Sequence, residues 1–335
     1  MSLLDLPPEI LCHIFEDVGA TYFKQDIGRL MVSKQWCAVA RWGIFRNVTL
    51  RARSLHKLLS LHASGSEILA PSLDYLKRLA IKLAGYEGVE APDRKRFSAA
   101  LNADLVQLGP LVRNAPRLKS LHVRASRWVH PDDDEHSVSY LSIPAVHALL
   151  EVPIHLEVLV LDITTSLSAP PLPSGDSPAP GFHACSVIGS LLPTLRVLHV
   201  RMSSICSDVL VPPNADALDS IRLEEVVVNT SLKETDNLGN LSTYHARLCG
   251  HRTTTVRLLW EKLYEKAELL AARMQSPKTV RIIKHRLPTF RLISMDVLTG
   301  AEMELTDSQA WGADGKVIES PPEPESSISS ISDFE

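Results

Sequence analysis

Five times along the chain an apolar residue is followed three positions later by a second and two positions after that by a third. The copies are Leu76/Leu79/Ile81, Leu118/Leu121/Val123, Leu156/Leu159/Leu161, Leu195/Leu198/Val200 and Leu223/Val226/Val228. Side chains two apart on an extended chain share a face, so each copy predicts a short strand whose apolar face is buried. The leading residues recur 42, 38, 39 and 28 positions apart, and a weaker copy follows at Phe290/Ile293/Met295. Stretches with helical apolar spacing lie between the copies, at Arg96 to Val112, Pro144 to Leu150 and His183 to Leu192. Pro116 and Pro193 precede two of the strands, where proline ends a helix and turns the chain. Strand, loop, helix and loop at a nearly regular period predict a solenoid of α/β units.

Two further helices flank this array. Leu55 to Leu61 reads as one. Thr255 to Gln275 reads as another, with Leu258, Leu259, Leu263, Ala267 and Leu270 on one face and Glu261, Lys262, Glu265 and Lys266 on the other. Trp128 to Tyr140, with its run Asp132-Asp133-Asp134-Glu135, is expected to be a solvated acidic loop. Adjacent carboxylates repel one another and lack the alternating ligand spacing of a calcium loop. Ala169 to Gly181 holds five prolines and is expected to be a loop as well.

The first fifty residues follow a different pattern. Pro7 and Pro8 suit the first turn of a helix, with Asp5 as a cap upstream, and Ile10, Leu11, Ile14, Phe15 and Val18 then form a helical stripe. Asp26 to Met31 suggests a second short helix, and Ser33 reads as the N-cap of a third that carries Trp36, Val39 and Ala40. Three helices in about 50 residues bury too little surface to be comfortable alone. The crowding of Leu6, Pro7, Ile10 and Leu11 implies that another protein completes the cover.

The opening Leu6-Pro7-Pro8-Glu9-Ile10-Leu11, the centre Val32-Ser33-Lys34-Gln35-Trp36 and the close Phe45-Arg46-Asn47-Val48 together resemble an F-box. The resemblance covers about one seventh of the chain. It implies binding to the Skp-type adaptor that bridges to a cullin assembly in a ubiquitin ligase. Leu6, Pro7, Ile10, Leu11, Ile14, Val32, Trp36 and Phe45 would then form or support the adaptor-binding face. The segment from Val18 to Leu30 is longer than the commoner pattern, which leaves the second helix unplaced. The later array is similar to leucine-rich repeats, although its units exceed the usual ~20 to 29 residues and carry no regular asparagine after the strand. The fold class expected is therefore α/β, or α+β by some schemes. Its parts are an F-box over residues 1–50, a divergent leucine-rich-repeat-like solenoid over 51–300, and an acidic, largely disordered tail over 301–335. A doubly wound sheet is the alternative, but no glycine-rich turn follows any strand to cradle a nucleotide.

Composition narrows the function. The net charge of −4 is uneven: nine acids and one base lie from Glu302 to Glu335, which leaves the body at +4. No global basic field invites nucleic acid. No run approaches the ~20 apolar residues of a membrane span, and Asp5 and Glu9 break any secretory layout, so a cytoplasmic or nuclear protein is expected. The five cysteines, Cys12, Cys37, Cys185, Cys206 and Cys249, are scattered without a Cys-x-x-Cys pair and read as reduced thiols. His245, Cys249 and His251 form the densest polar cluster, yet no second cluster supplies the remaining ligands of a metal site. The basic runs Arg94 to Arg96 and Lys278 to Arg291 have only Phe97 and Phe290 close in sequence as stacking partners and read as solvated faces or contacts for an acidic partner.

No nucleophile, phosphate-binding or metalloprotease motif is present, so no enzyme activity, cofactor or metal is expected. The expected function is that of a substrate receptor in a Skp–cullin–F-box ligase. The target protein would be held by residues that alternate with the core leucines: Lys119, His122, Glu157, Arg196 and His199, with Ser120 and Val197 beside them. A scaffold that binds the adaptor without delivering targets fits the same residues.

Overall fold

The structure is a computed structural model. It describes residues 6–26, 29, 32–64, 73–126, 139–152, 155–168, 183–202, 204–213, 220–231, 249, 256–286, 289, 291–306, 311 and 313–318. Among these residues the chain is mixed α/β, with seven α-helices and a mostly parallel ten-stranded sheet.

Helix α1 spans Pro8–Gln25 and α2 spans Lys34–Arg46. Pro7 is the cap residue of α1 and Pro8 its first helical position, where a missing N–H costs nothing. Asp5 lies outside the described residues. Ser33 caps α2 as expected, its Oγ accepting the Trp36 N–H at 3.0 Å. The unplaced stretch after Val18 is absorbed by α1 itself, which continues to Gln25. Of the expected second helix only Asp26 and Arg29 are described, and they close one turn with the Arg29 N–H donating to the Asp26 carbonyl at 3.2 Å.

After β1 (Asn47–Arg51) and α3 (Ala52–Ala63) the strands and helices alternate. In chain order they are β2 (Arg78–Leu83), α4 (Arg94–Arg113), β3 (Ser120–Ala125), β4 (Leu141–Ser142), α5 (Ile143–Leu150), β5 (Val158–Ile163) and β6 (Leu167–Ser168). Next come α6 (Ala184–Leu191), β7 (Val197–Met202), β8 (Glu225–Asn229) and α7 (Val256–Ala271). The last four strands are β9 (Thr279–Arg286), β10 (Arg291–Asp296), β11 (Glu302–Leu305) and β12 (Lys316–Val317). The main sheet runs β1-β2-β3-β5-β7-β8-β9-β10-β11-β12, parallel from β1 to β9 and antiparallel from there on, while β4 and β6 pair separately. Neighbours follow chain order throughout, so the sheet has no point of strand reversal of the kind that opens a nucleotide crevice in doubly wound folds.

All fifteen residues of the five triplets are buried. The strand members Leu79, Leu121, Leu159, Leu198 and Val226 stand in register across β2, β3, β5, β7 and β8. Removing each such side chain from water is worth about 1.5–3 kcal/mol, and together they are the ridge on which the helices pack. The strands also begin alike. The Lys77 carbonyl accepts from the N–H of both Lys119 and Ser120, Lys119 from Glu157 and Val158, Glu157 from Arg196 and Val197, Arg196 from Glu224 and Glu225, and Glu224 from Lys278 and Thr279. One backbone arrangement is thus repeated from unit to unit.

Several expectations are corrected. Met295 and Ile293 do lie on a strand, β10, but it is antiparallel and adds no further unit. The sixth parallel strand of the array proper is β9, within the segment read as a basic patch, where Val280 and Ile282 supply the inward face. Leu258 is exposed rather than on the buried face of α7, because 100° per residue carries it past the stripe formed by Leu259, Leu263, Ala267 and Leu270. Tyr140, placed at the end of the acidic loop, is a core residue whose hydroxyl donates to the Ser126 carbonyl at 2.7 Å. The first part of the segment 301–335, expected as a largely disordered tail, instead holds the strands Glu302–Leu305 and Lys316–Val317. Positions 127–138, 169–182 and 319–335 lie outside the described residues. No helix among the described residues is long and apolar enough to cross a membrane.

Candidate docking surfaces

The N-terminal helices have a small core of their own, separate from that of the sheet: Leu11, Phe15, Val39 and Ala40, with Leu6, Cys12, Ile14, Trp36 and Ile44 packed around it. Trp36 is held twice, by its ring edge against Phe15 and by its indole N–H, which donates to the Arg29 carbonyl at 2.5 Å. With Leu11 and Phe15 turned inward, the positions one residue before and three after them look out. Ile10, Ile14, Val18 and Tyr22 follow one another at four-residue intervals along α1. Ile10, Val18 and Tyr22 are exposed, Ile14 is half-buried, and Val32 beyond the turn is 62% exposed. The result is an apolar stripe along α1 that is exposed at Ile10 and Val18, while Ile14 leans on the small core and the Arg29 guanidinium lies 4.1 Å over the Tyr22 ring.

The eight residues named for adaptor binding therefore divide. Pro7, Ile10 and Val32 are exposed, while Leu6, Ile14 and Trp36 are half-buried at the edge of the small core. Leu11 is fully buried and can only support the surface from beneath. Phe45 is half-buried and lines an apolar cavity of about 80 Å³ together with Val48, Leu50, Leu58, Leu79 and Leu108, where the helical pair meets the sheet.

On the sheet, helices cover one face and the other carries the residues that alternate with the leucines. His122 and His199 sit in one row of that outer face, separated by Val160. Lys119, Glu157 and Arg196 form a charged lip just before the strands, extended by Glu224 and Lys278. Lys119 Nζ is 2.5 Å from Glu157 Oε1, and Arg196 Nε donates to Glu224 Oε1 at 2.8 Å, with Lys278 on the second oxygen of Glu224. The lysine hydrogen bond holds the Glu157 carboxyl below its usual range, and the Lys278 and Arg196 bonds do the same for Glu224. Ser120 is buried and offers no contact.

The C-terminal strands narrow this face. Trp311 lies over β7, its ring 5.0 Å from the Arg201 guanidinium and 6.4 Å from the His199 ring. Beside it, buried Arg281 donates to the Ala313 carbonyl at 2.9 Å and to Asp314 at 2.5 Å. His199 is thereby partly covered, and burial lowers its pKa against the opposing pull of Glu225. The open part of the face is that of β1, β2 and β3. Arg51, Lys82 and Arg124 share one row there, Arg78 stands four positions before Lys82, and all four are exposed; β1, β2 and β3 contain no acid, but Arg124 pairs across the row with Asp162 of β5 at 3.8 Å.

One grouping was invisible in the sequence. Cys185, Cys206 and Cys249, apparently scattered, converge with His183 in a buried cluster beside α6 and the 3-10 turn Ser207–Leu210. His245 and His251, the sequence neighbours considered with Cys249, lie outside the described residues. Hydrogen bonding to Cys185 and burial push the Cys206 thiol far above its ordinary value, the opposite of what a nucleophile needs. The short spacing His183-x-Cys185 was the available signal, but its partners are 23 and 66 positions from His183. No protein-family model, curated protein or solved structure matches this chain.

Proposed function

We propose that the protein is a substrate-receptor subunit of a Skp–cullin–F-box ubiquitin ligase, in which the N-terminal helices dock the adaptor and the sheet's outer face holds a target. The observation that carries this reading is the exposure of the apolar residues Pro7, Ile10, Val18 and Val32 on a helical pair whose own core is only four buried residues. A surface of that kind on so small a unit is completed by association. The F-box-like motifs name the kind of partner.

The repeated strand starts and sequential strand order favour a divergent leucine-rich array over an unrelated α/β sheet. Its exposed cations Arg51, Arg78 and Lys82, beside Arg124 that pairs with Asp162, suit a target segment rich in carboxylates or phosphates. The chain performs no covalent step in this reading. It raises the effective concentration of a target lysine near the conjugating enzyme.

Cells carrying the native chain and cells carrying Ile10→Asp separate receptor from scaffold. A receptor makes specific proteins accumulate on proteasome inhibition only with the native chain. Identical profiles in the two lines, when adaptor binding is lost only in the variant, point to a scaffold that delivers nothing.

A further inference from the structure

His183, Cys185, Cys206 and Cys249 are all buried, and their ligand atoms all lie within 4.8 Å of one another. We infer that these four residues form a structural zinc site, independent of the docking surfaces. The distances suit tetrahedral coordination. Metal–sulfur bonds of about 2.3 Å give tetrahedron edges of about 3.8 Å. Cys185 Sγ and Cys249 Sγ are 3.9 Å apart, and Cys206 Sγ is 3.8 Å from His183 Nδ1.

The surroundings fit as well. His183 turns Nδ1 to the Cys206 sulfur while its Nε2 lies 3.3 Å from Asp208 Oδ2, so the carboxylate favours the Nε2–H tautomer, in which Nδ1 is the metal-binding nitrogen. The Cys206 backbone N–H donates to Cys185 Sγ at 3.3 Å, a contact that favours the thiolate. Gly189 lets α6 approach: a Cβ there would lie 2.4 Å from the Val211 carbonyl oxygen and 2.6 Å from that of Asp208. The helix bearing Cys185 is thus drawn against the turn that follows Cys206. Three sulfurs and one imidazole nitrogen favour zinc over calcium or magnesium, and four protein ligands leave no open position for catalysis. Binding releases the thiol protons and ties Cys249 to α6 and to the 3-10 turn Ser207–Leu210.

The full chain, expressed with zinc in the medium and dialysed, is expected to carry about one zinc per molecule by elemental mass spectrometry. Cobalt exchanged into the native chain should give the intense visible bands of a tetrahedral ion and thiolate-to-cobalt charge transfer. Cys206→Ser and His183→Ala should lower retained zinc at least tenfold, while Cys12→Ser and Cys37→Ser keep it. Substoichiometric zinc with no cobalt charge transfer in the native chain, a Cys185–Cys249 disulfide by mass spectrometry, or folded Cys206 and His183 variants that keep full zinc would each overturn the site. Should those variants not fold, the cobalt spectrum of the native chain decides alone.

Discussion

The ring of Trp36 meets that of Phe15 edge-on, with centroids 4.5 Å apart and planes at 84°, and this contact locks α2 onto α1. Edge-to-face packing adds to simple burial. Phe15 is buried in a core with three other fully or nearly buried residues, so the pair's loss has few neighbours to absorb it. The consequence is local. Phe15→Ala should cost about 3 kcal/mol of stability in the helical pair. Hydrogen exchange should speed up over residues 8–46 and stay unchanged in β3, β5 and β7. Equal loss of protection in those strands would show one cooperative unit instead.

Gly109 in α4 lies so close to α5 that a Cβ would sit 2.5 Å from the Ala148 carbonyl oxygen. Backbone cannot yield as a flexible side chain can. Gly109→Ala should therefore destabilise the protein by about 1–3 kcal/mol despite the better helix propensity of alanine, measurable as a lower denaturant midpoint.

Acid should act through the lip. Lys119 lowers the pKa of Glu157, and Lys278 with Arg196 lowers that of Glu224, so each carboxyl binds its proton less readily folded than unfolded. Their stabilising effect is complete above the ordinary carboxylate value of about 4.3 and is lost as pH falls through the depressed folded values. Glu157→Gln/Glu224→Gln should flatten the stability profile below about pH 4.5 in equilibrium denaturation. An unchanged profile would mean that the lip contributes nothing.

His199 reports on the segment lying across β7. Burial lowers its pKa, so the folded state disfavours the charged ring. Stability is unaffected above about 6.5 and declines as pH falls from there towards the lower folded value. Proton NMR should find its midpoint below 6.5, and Trp311→Ala, by uncovering the ring, should raise it. A midpoint that ignores Trp311 would contradict the described packing.

Much of this was legible in the residues. A period of two within Leu-x-x-Leu-x-Leu has one structural meaning when it recurs with helices between, and Ser33 announced its helix by local chemistry alone. Three features could not be read locally. Whether β10 runs parallel or antiparallel depends on the length and turn of its connection to β9, not on its own pattern of Ile293 and Met295. The place of Phe45 beside an apolar cavity depends on the wall built by α3 and α4. The meeting of Cys185 with Cys249 spans 64 positions and exists only once α6 is packed.

The most direct test concerns adaptor binding, measured by co-purification and titration of the organism's Skp-type subunit with the native chain, Ile10→Asp and Phe45→Ala. Ile10 is 47% exposed, whereas Phe45 is half-buried and lines the cavity. Ile10→Asp should lose binding at least a hundredfold, with circular dichroism and melting unchanged, while Phe45→Ala binds but melts earlier. Equal binding by the native chain and a folded Ile10→Asp variant, or none by the native chain, would contradict the account.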